Sequence, residues 1–490
     1  MVQYSCEKCG KTFKQKGHYT KHLQRKTPCD NIVNKIEKIV EDKVEEKLQQ
    51  LLEKGNTIVI NEVNINTGTI FQPENQIKDI KYIDLCSGIG GFRIALESID
   101  NINSKCCLSA DIKQDAIDTY NLNFNENNKI TDIYTLMNED IEPFDLLCAG
   151  FPCQPFSSAG QKKGFSDKRG GMIFKIIDIC KYRKPRFVVL ENVYNLMTLE
   201  NGNCIKKIKK LFEDIGYIVN FKKLNSCNFG CAQSRERVYI VCTIDEIFDF
   251  KNIKYKANVN LNSIIDYSNN KTNINPAFCK KILQLHKESS IFGCKISDKR
   301  GGKNNIHSWD LGLNGELNED EKNLMNEIML NRRKKHWAEK KNITWMDGMP
   351  LTYDEITTFY KYDNLKEMLD NLVNMKYLRL EKPKDLINGK RKYKDDSPKG
   401  YNICKGKLSF PISKILDPND ISPTLTATDS HKLAVIINDN TLRNLSSTEM
   451  KKICGFPDTF VVPEHVNYGD LFGNMATPHV IKEIFEVLFM

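Results

Sequence analysis

KYIDLCSGIGGFRIALE (residues 81–97) is the stretch that decides the fold. KYIDL reads as a buried strand, SGIGG as a tight turn and FRIALE as the first turns of a helix. Gly88, Gly90 and Gly91 let the backbone approach a ligand closely. The helix start behind them favours polar or anionic groups. A Gly-rich strand-to-helix turn is common, and its neighbours are what make this one specific. A second strand-like run, CCLSAD, ends at Asp111. That is about where a nucleotide-binding fold places the carboxylate that holds ribose hydroxyls. Asp132 and Ile133 offer an acceptor and an apolar wall to an adenine ring. Strands alternating with helices in this way predict an α/β, Rossmann-like domain.

Next comes FDLLCA (144–149), a short apolar run that leads into AGFPCQPFSSAG (149–160). A strand ending in a Gly/Pro-rich loop presents its last residues at the carboxyl edge of the sheet, where ligands bind in open α/β folds. Cys153 sits in that loop, and Pro152 fixes the backbone before it. RFVVLENV (186–193) is another apolar strand, running into Glu191 and Asn192. NFGCAQSRERVYIVC (228–242) places Arg235 and Arg237 at the head of a further one. A carboxylic acid and two guanidiniums beside a thiol suit the polarisation of a heterocycle. No His lies near Cys153 in the sequence, which argues against a Cys–His hydrolase.

In this order the segments resemble the DNA (cytosine-5)-methyltransferases. DLCSGIGGF, Asp111, TDI (131–133), GFPCQPFS, ENV and QSRERVY follow the family's succession of motifs. SPTLTATD (422–429), RNLSSTEMKKICGFPDTF (443–460) and YGDLFGNMATPHVI (468–481) continue it, so the resemblance covers residues 78–490. It implies an S-adenosylmethionine-dependent methyltransferase domain with an inserted target-recognition domain. Cys153 would be the nucleophile on carbon 6 of cytosine. Glu191 would hold the ring edge and share a proton with ring nitrogen 3, and Arg237 would donate to the exocyclic carbonyl. Arg235 would hold the loop or a phosphate. For the cofactor the resemblance implies Gly88, Gly90 and Gly91 around the methionine part. It adds Asp111 on the ribose, Asp132 and Ile133 on the adenine, and Asp84, Cys86, Ile112, Pro152 and Asn474 in the surrounding shell. Three positions depart from the family's pattern: Cys86 replaces an aromatic, Asp111 a Glu and Thr131 a Gly.

Composition bounds the rest. A chain of 490 residues has room for two to four domains. Its net charge of +9, from 72 basic and 63 acidic residues, is compatible with nucleic acid. No apolar run approaches a membrane span, and 17 Cys without the spacing of a disulfide scaffold suit a reducing interior. The expectation is a soluble, intracellular protein. Residues 1–30 carry the spacing of a ββα zinc finger, with Cys6, Cys9, His22 and Cys29 as ligands to a structural zinc ion. The same segment holds seven Lys/Arg and two acids, so it could dock on DNA or on protein. Residues 31–77 follow as a helical or coiled-coil linker with a short strand, and Ile36, Val40, Val44, Leu48 and Leu51 line one helical face.

The catalytic domain is then expected over 78–245, a target-recognition region over 246–420, and the completion of the catalytic domain over 421–490. Within the recognition region, NRRKKHWAEKKNITW (331–345) is basic with interleaved Trp337 and Trp345, a pattern suited to phosphate contact beside an aromatic wedge. The implied partner is double-stranded DNA. A cognate restriction endonuclease and self-association through residues 31–66 are further partners. Two alternative functions stay open at this point: a tRNA cytosine-5 methyltransferase and a non-catalytic DNA-binding regulator of the same fold.

Overall fold

The structure, a computed structural model, describes residues 4–5, 12–13, 20, 78–151, 171–299, 301–302, 304–344, 349–404 and 410–489. It divides into two units, residues 1–74 and 75–490. In the first, β1 (Tyr4–Ser5) and β2 (Thr12–Phe13) pair antiparallel, with Tyr4 opposite Phe13. The predicted zinc ligands Cys6, Cys9, His22 and Cys29 lie outside the described residues, as does the helix predicted for the linker.

The second unit opens with β3 (Lys78–Leu85), α1 (Gly91–Glu97), β4 (Ile102–Ala110), α2 (Gln114–Phe124), β5 (Leu146–Gly150) and α3 (Met172–Arg183). It continues with β6 (Phe187–Val193), α4 (Asn203–Glu213), β7 (Ile218–Asn225) and β8 (Glu236–Thr243). These strands form one six-stranded sheet in the order β4-β3-β5-β6-β8-β7. The first four run parallel, and β8 alone runs against its neighbours β6 and β7.

A second group of elements follows: α5 (Pro276–Glu288), β9 (Lys295–Ile296), β10 (Asn305–Ile306), α6 (Glu319–Asn331), α7 (Lys335–Lys340), α8 (Tyr353–Thr357) and α9 (Leu365–Asn374). Then come β11 (Leu378–Glu381), β12 (Lys384–Ile387), β13 (Lys390–Tyr393), β14 (Gly400–Ile403) and β15 (Lys414–Ile415). The chain closes with β16 (Leu433–Asn438), β17 (Thr441–Asn444), α10 (Ser447–Ile453), α11 (Tyr468–Asn474) and α12 (Pro478–Phe489). Strands β10-β9-β15-β16-β17 make a second, five-stranded sheet.

Both faces of the large sheet are covered, which is why its strands are nearly continuous apolar runs. Successive residues alternate between two cores. Ile83, Leu147, Val188, Leu190 and Ile240 pack under α3 and α4. Tyr82, Leu146, Cys148, Val189 and Tyr239 pack under α1 and α12. The result is a helix–sheet–helix sandwich, the predicted Rossmann-like arrangement with one antiparallel strand added. Helix α12 closes it beside the first strand: Phe485 meets Phe92 of α1, and the Phe489 carbonyl accepts from Lys78 of β3.

The segment after β8 first stays on this sandwich, with Phe248, Phe250 and Ile253 in the core under α1 and α12. Further on, α6 to α9 build a separate apolar cluster around Trp309, Leu324, Ile328 and Leu369. Trp337 belongs to that cluster and is only 5% exposed, so it is a core residue and not the exposed aromatic wedge predicted from its basic surroundings. Arg332 is buried with it, and Lys341 pairs with the buried Glu355. In this run charge patterning misled, because long cationic side chains can bury their stems and pair internally.

The closing segment is fastened by a buried ion pair. Arg443 of β17 donates to both carboxylate oxygens of Glu449 at 2.7 and 2.8 Å, and also to the carbonyls of Asp266 and Asn269. Glu449 in turn completes a capping box with Ser446 at the start of α10. Burial alone would push its carboxyl up, but Arg443 and the Ser446 and Asp266 N–H groups hold it below the usual carboxylate range. Arg443→Met should therefore cost about 3–5 kcal/mol at pH 7 by stranding a buried carboxylate. Adding Glu449→Gln should recover part of that loss. Because the folded pKa is depressed, the pair stabilises fully above the unfolded carboxylate pKa, and its contribution fades as pH falls through the folded value. Thermal unfolding from pH 7 downward should show the gap between wild type and Arg443→Met narrowing in acid.

Candidate active site

Strand register sets what meets at the carboxyl edge of the sheet. Leu85 lies level with Ala110 and Ala149, Gly150 with Glu191, and Val193 with Arg237. The Gly-rich turn after β3, Asp111 after β4, Phe151 after β5 and the last residues of β6 therefore share one rim. The head of β8 joins them because that strand runs the other way.

Asp111 organises the turn. Its Oδ2 accepts from the Gly88 N–H and its Oδ1 from the Lys113 N–H, both at 2.9 Å. The Asp111 carbonyl accepts from Thr131 at 2.9 Å, which brings Asp132 alongside. Asp132 caps the short turn that follows it, accepting from the Tyr134 N–H at 3.0 Å. Cys86 adopts the left-handed backbone, φ 55°, with its sulfur 3.2 Å from that of Met172. Burial first, then Asp111, Asp84 and Asp132, push the Cys86 thiol far up, so it stays protonated.

The glycines divide by what surrounds them. A Cβ on Gly91 would lie 2.2 Å from the Ala476 carbonyl oxygen, and one on Gly90 would lie 2.3 Å from the Phe124 ring. These two are dictated by packing. A Cβ on Gly88 would meet nothing within 4 Å, so the turn presents open space at that residue alone. Three further residues read as cofactor ligands sit differently. Ile133 is 2% exposed and faces the core under α3, whereas Ile112, beside Asp111, is 64% exposed. The apolar wall available at this rim is therefore Ile112. Asp84 is wholly buried beneath the turn, and among the described residues neither of its carboxylate oxygens has a hydrogen-bond partner. Burial, followed by Asp111, pushes its carboxyl well up and favours the neutral acid.

Across the rim, Glu191 and Arg237 form an ion pair, Oε1 to Nε 3.0 Å, with both side chains nearly buried. Glu191 Oε2 and the Cys86 carbonyl oxygen lie 3.9 and 3.8 Å from where a Gly150 Cβ would stand, so the carboxylate faces the turn over a glycine gap. Desolvation outweighs Arg237 and Arg235 and leaves the Glu191 carboxyl raised above its ordinary value. The buried Asn192 donates to the Phe151 carbonyl at 3.2 Å. It thereby holds the residue that precedes Pro152 and Cys153 in the chain. Pro152 and Cys153 themselves lie outside the described residues.

Arg235 reaches the closing segment of the chain. Its guanidinium is buried and donates to the carbonyls of Leu425, Gly473 and Met475 at 3.2, 3.1 and 2.7 Å. Of the two uses read for it, holding a loop and holding a phosphate, the geometry matches the first. Asn474, between two of those anchored residues, is exposed and donates to the carbonyl and carboxylate of Asp470. Asp470 pairs with Lys113 at 2.7 Å, which ties Asn474 to the Asp111 side of the rim.

Residues 80–490 match the family of C-5 cytosine-specific DNA methylases. The chain belongs to that family. It is 41% identical over 424 residues to the Type II methyltransferase M.NlaIV of Neisseria lactamica, spanning 84% of this chain and 99% of that one. It is 40% identical to the Type II methyltransferase M.NgoBV of Neisseria gonorrhoeae, again over 84% and 99% of the two chains. Identity to the Type II methyltransferase M.BanI of Aneurinibacillus aneurinilyticus is 34% over 438 residues, spanning 84% and 96%.

For this methylase the structure thus brings together Gly88, Asp111, Ile112, Asp132, Glu191, Arg237 and Asn474. It sets Asp84, Gly90, Gly91, Ile133 and Arg235 in supporting positions behind them. Asn192 is the residue that motif reading passed over. A buried amide directly after the acid of a strand end, with no apolar reason to be there, was the available signal.

The two kinds of glycine can be told apart by stability. Gly91→Ala forces a methyl group against backbone and should cost about 1–3 kcal/mol or more through overpacking. Gly88→Ala meets only the left-handed φ, a cost of about 1 kcal/mol. Thermal denaturation should therefore rank Gly91→Ala clearly below Gly88→Ala, and equal melting temperatures would contradict the packing assignment.

Proposed function

We propose that this methylase modifies carbon 5 of a flipped-out cytosine in a specific duplex sequence, through a covalent adduct on Cys153. The observation that carries the reading is the Glu191–Arg237 pair. It stands at the same rim as the open Gly88 turn and beside the anchored residue that leads into Pro152-Cys153. A base inside a duplex cannot reach such a rim, so the target nucleotide must leave the stack.

The Cys153 thiolate adds to carbon 6 of the ring, and the electron pair of the 5,6 double bond moves toward carbon 5. The neutral form of Glu191, which burial favours, gives its proton to ring nitrogen 3, so no negative charge builds up on the base. Arg237 keeps the Glu191 carboxyl in place and donates to the exocyclic oxygen. S-adenosylmethionine supplies the methyl group. After transfer, water takes the carbon 5 proton, the electron pair re-forms the 5,6 double bond and expels the Cys153 thiolate, and ring nitrogen 3 returns its proton to Glu191. Gly88, Asp111 and Ile112 fit the cofactor: an open turn for its amino-acid end, a carboxylate for its ribose and an exposed apolar face for its adenine. Asp132 and Asn474 flank the same space.

The recognition region is assigned to the elements between α5 and β15; α6 to α9 pack in an apolar cluster apart from the large sheet, and α5 packs in another that it shares with Ala434 of β16 and Leu442 of β17. The N-terminal segment is read as a zinc finger. The antiparallel pair Tyr4–Ser5 with Thr12–Phe13 brackets Cys6 and Cys9 as a finger hairpin would, and the Cys₃His donor set suits structural zinc. Relatives named as Type II methyltransferases favour a protective role opposite a restriction endonuclease.

Bisulfite sequencing of mixed duplex DNA treated with the protein and S-adenosylmethionine tests the reading. Protected cytosines in one short recurring sequence are expected, with none in Cys153→Ala. Protection of tRNA with duplex DNA untouched would replace the substrate class. Glu191→Gln should lower kcat by about 10²–10⁴-fold. In the wild type the rate should fall as pH rises through the raised Glu191 pKa, since the donor is then lost, and Glu191→Gln should lack that alkaline limb. Gly88→Ala should weaken S-adenosylmethionine binding by calorimetry while leaving the melting temperature nearly unchanged.

A further inference from the structure

The second sheet carries an unrelieved charge cluster. Lys295 of β9 lies directly opposite Lys414 of β15, and Lys414 pairs in turn with Leu433, the residue after Lys432. The backbone N–H of Ser413 donates to the Lys432 carbonyl at 2.8 Å, which holds the third lysine beside the other two. Like charges placed directly opposite on neighbouring strands destabilise a sheet. Lysines elsewhere in this protein are commonly relieved by carboxylates, as in Lys281–Glu316 and Lys256–Glu483. Among the described residues, none of Lys295, Lys414, Lys432 or the nearby Lys299 has a carboxylate within ion-pair distance.

All four line one cleft of about 680 Å³. Two acids also line it. Asp298 is buried, accepts from the Ser308 N–H and leaves Oδ2 without a partner among the described residues, and burial pushes its carboxyl up toward the neutral form. Asp429 is exposed at the margin. The balance is cationic whichever way Asp298 is charged.

The cleft also borders the candidate active site. Thr424 is part of its wall and donates to the Ser234 carbonyl at 2.6 Å. Ser234 stands three residues before Arg237, and the next residue after Thr424, Leu425, is held by Arg235.

We propose that this cleft seats backbone phosphates of the target duplex, with Lys295, Lys414 and Lys432 neutralising them next to the base pocket and Lys299 at the margin. The proposal rests on the duplex-methylation reading and deepens it by naming where the nucleic acid is gripped. A phosphodiester chain is the occupant that fits. It supplies repeated negative charges over several ångströms, matching lysines on two strands and on the turn that leads into β16, and it releases counterions on binding. These lysines are partly or fully exposed and outside both apolar cores, so their replacement leaves the fold intact.

The test uses the full chain and a duplex carrying the sequence found by bisulfite mapping. Lys295→Gln, Lys414→Gln and Lys432→Gln are made singly and together. DNA affinity is measured over a range of salt concentrations, alongside KM for DNA, kcat and S-adenosylmethionine affinity. Each lost phosphate contact should flatten the plot of log affinity against log salt by about 0.9 and weaken binding about eightfold at 0.1 M salt. KM for DNA should rise, with kcat at saturating DNA and cofactor affinity unchanged, and Lys→Arg should restore binding. Unchanged salt slope and KM in the triple variant would overturn the proposal and make the cleft a solvated face. A wild-type protein that leaves duplex DNA unmethylated and unbound would instead overturn the function on which the proposal stands.

Discussion

The arrangement depends on one buried cation. Arg235 carries its guanidinium into the interior with no carboxylate paired to it among the described residues, and three backbone carbonyls from the far end of the chain accept its hydrogen bonds. Burial first, and Arg237 next, pull its pKa down to about 10, still far above neutrality. An isolated charge of this kind persists only where dipoles are fixed around it. The fixing works in both directions. Leu425, Gly473 and Met475 satisfy the arginine, and the arginine sets where those residues stand. Ala476 follows directly, against Gly91, and Asn474 lies within the anchored stretch. Through one side chain, a segment more than two hundred residues downstream becomes part of the wall around the first turn of the sandwich.

Glu191 poses the opposite problem. It is an acid next to a guanidinium, and pairing alone would make it a permanent carboxylate. The surrounding core removes so much water that desolvation prevails, and the carboxyl rises. Arg237 and, after it, Arg235 pull the other way without overcoming that loss of water. An acid whose neutral form is favoured by burial and whose charged form is favoured by a neighbouring cation is suited to give and recover a proton.

Much of this was legible in the sequence, and the limits have physical causes. The strands at 81–85, 144–149, 186–193 and 238–242 were readable because a sheet covered on both faces demands unbroken apolar runs. Glu191 and Arg237 were readable because each stands at a strand end next to its motif. The function of each glycine was not readable. A glycine required by φ, one required by a neighbouring ring and one required by a distant carbonyl look alike in a string of letters. Ile133 was read as the apolar wall, but the packing of the turn after Asp132 buries it, and it is Ile112 that faces outward. Trp337 was misread because a basic stretch with a tryptophan fits both an exposed wedge and a buried helix stapled by Lys341 and Glu355.

The single reversed strand explains why the two functional residues meet. Were β8 parallel to β6, its carboxyl end would reach the rim and bring Cys242 and Thr243 there, leaving Arg237 at the opposite edge of the sheet. Because β7 and β8 form a hairpin through Ser226–Asn228, β8 enters from the rim. Its first residues, with the preceding turn that holds Ser234 and Arg235, are delivered next to Val193 and Glu191. The same turn docks on residues 422–425 through Ser234 and Thr424. One topological reversal therefore places the arginine on the acid, the buried cation on the closing segment and the rim beside the lysine-lined cleft.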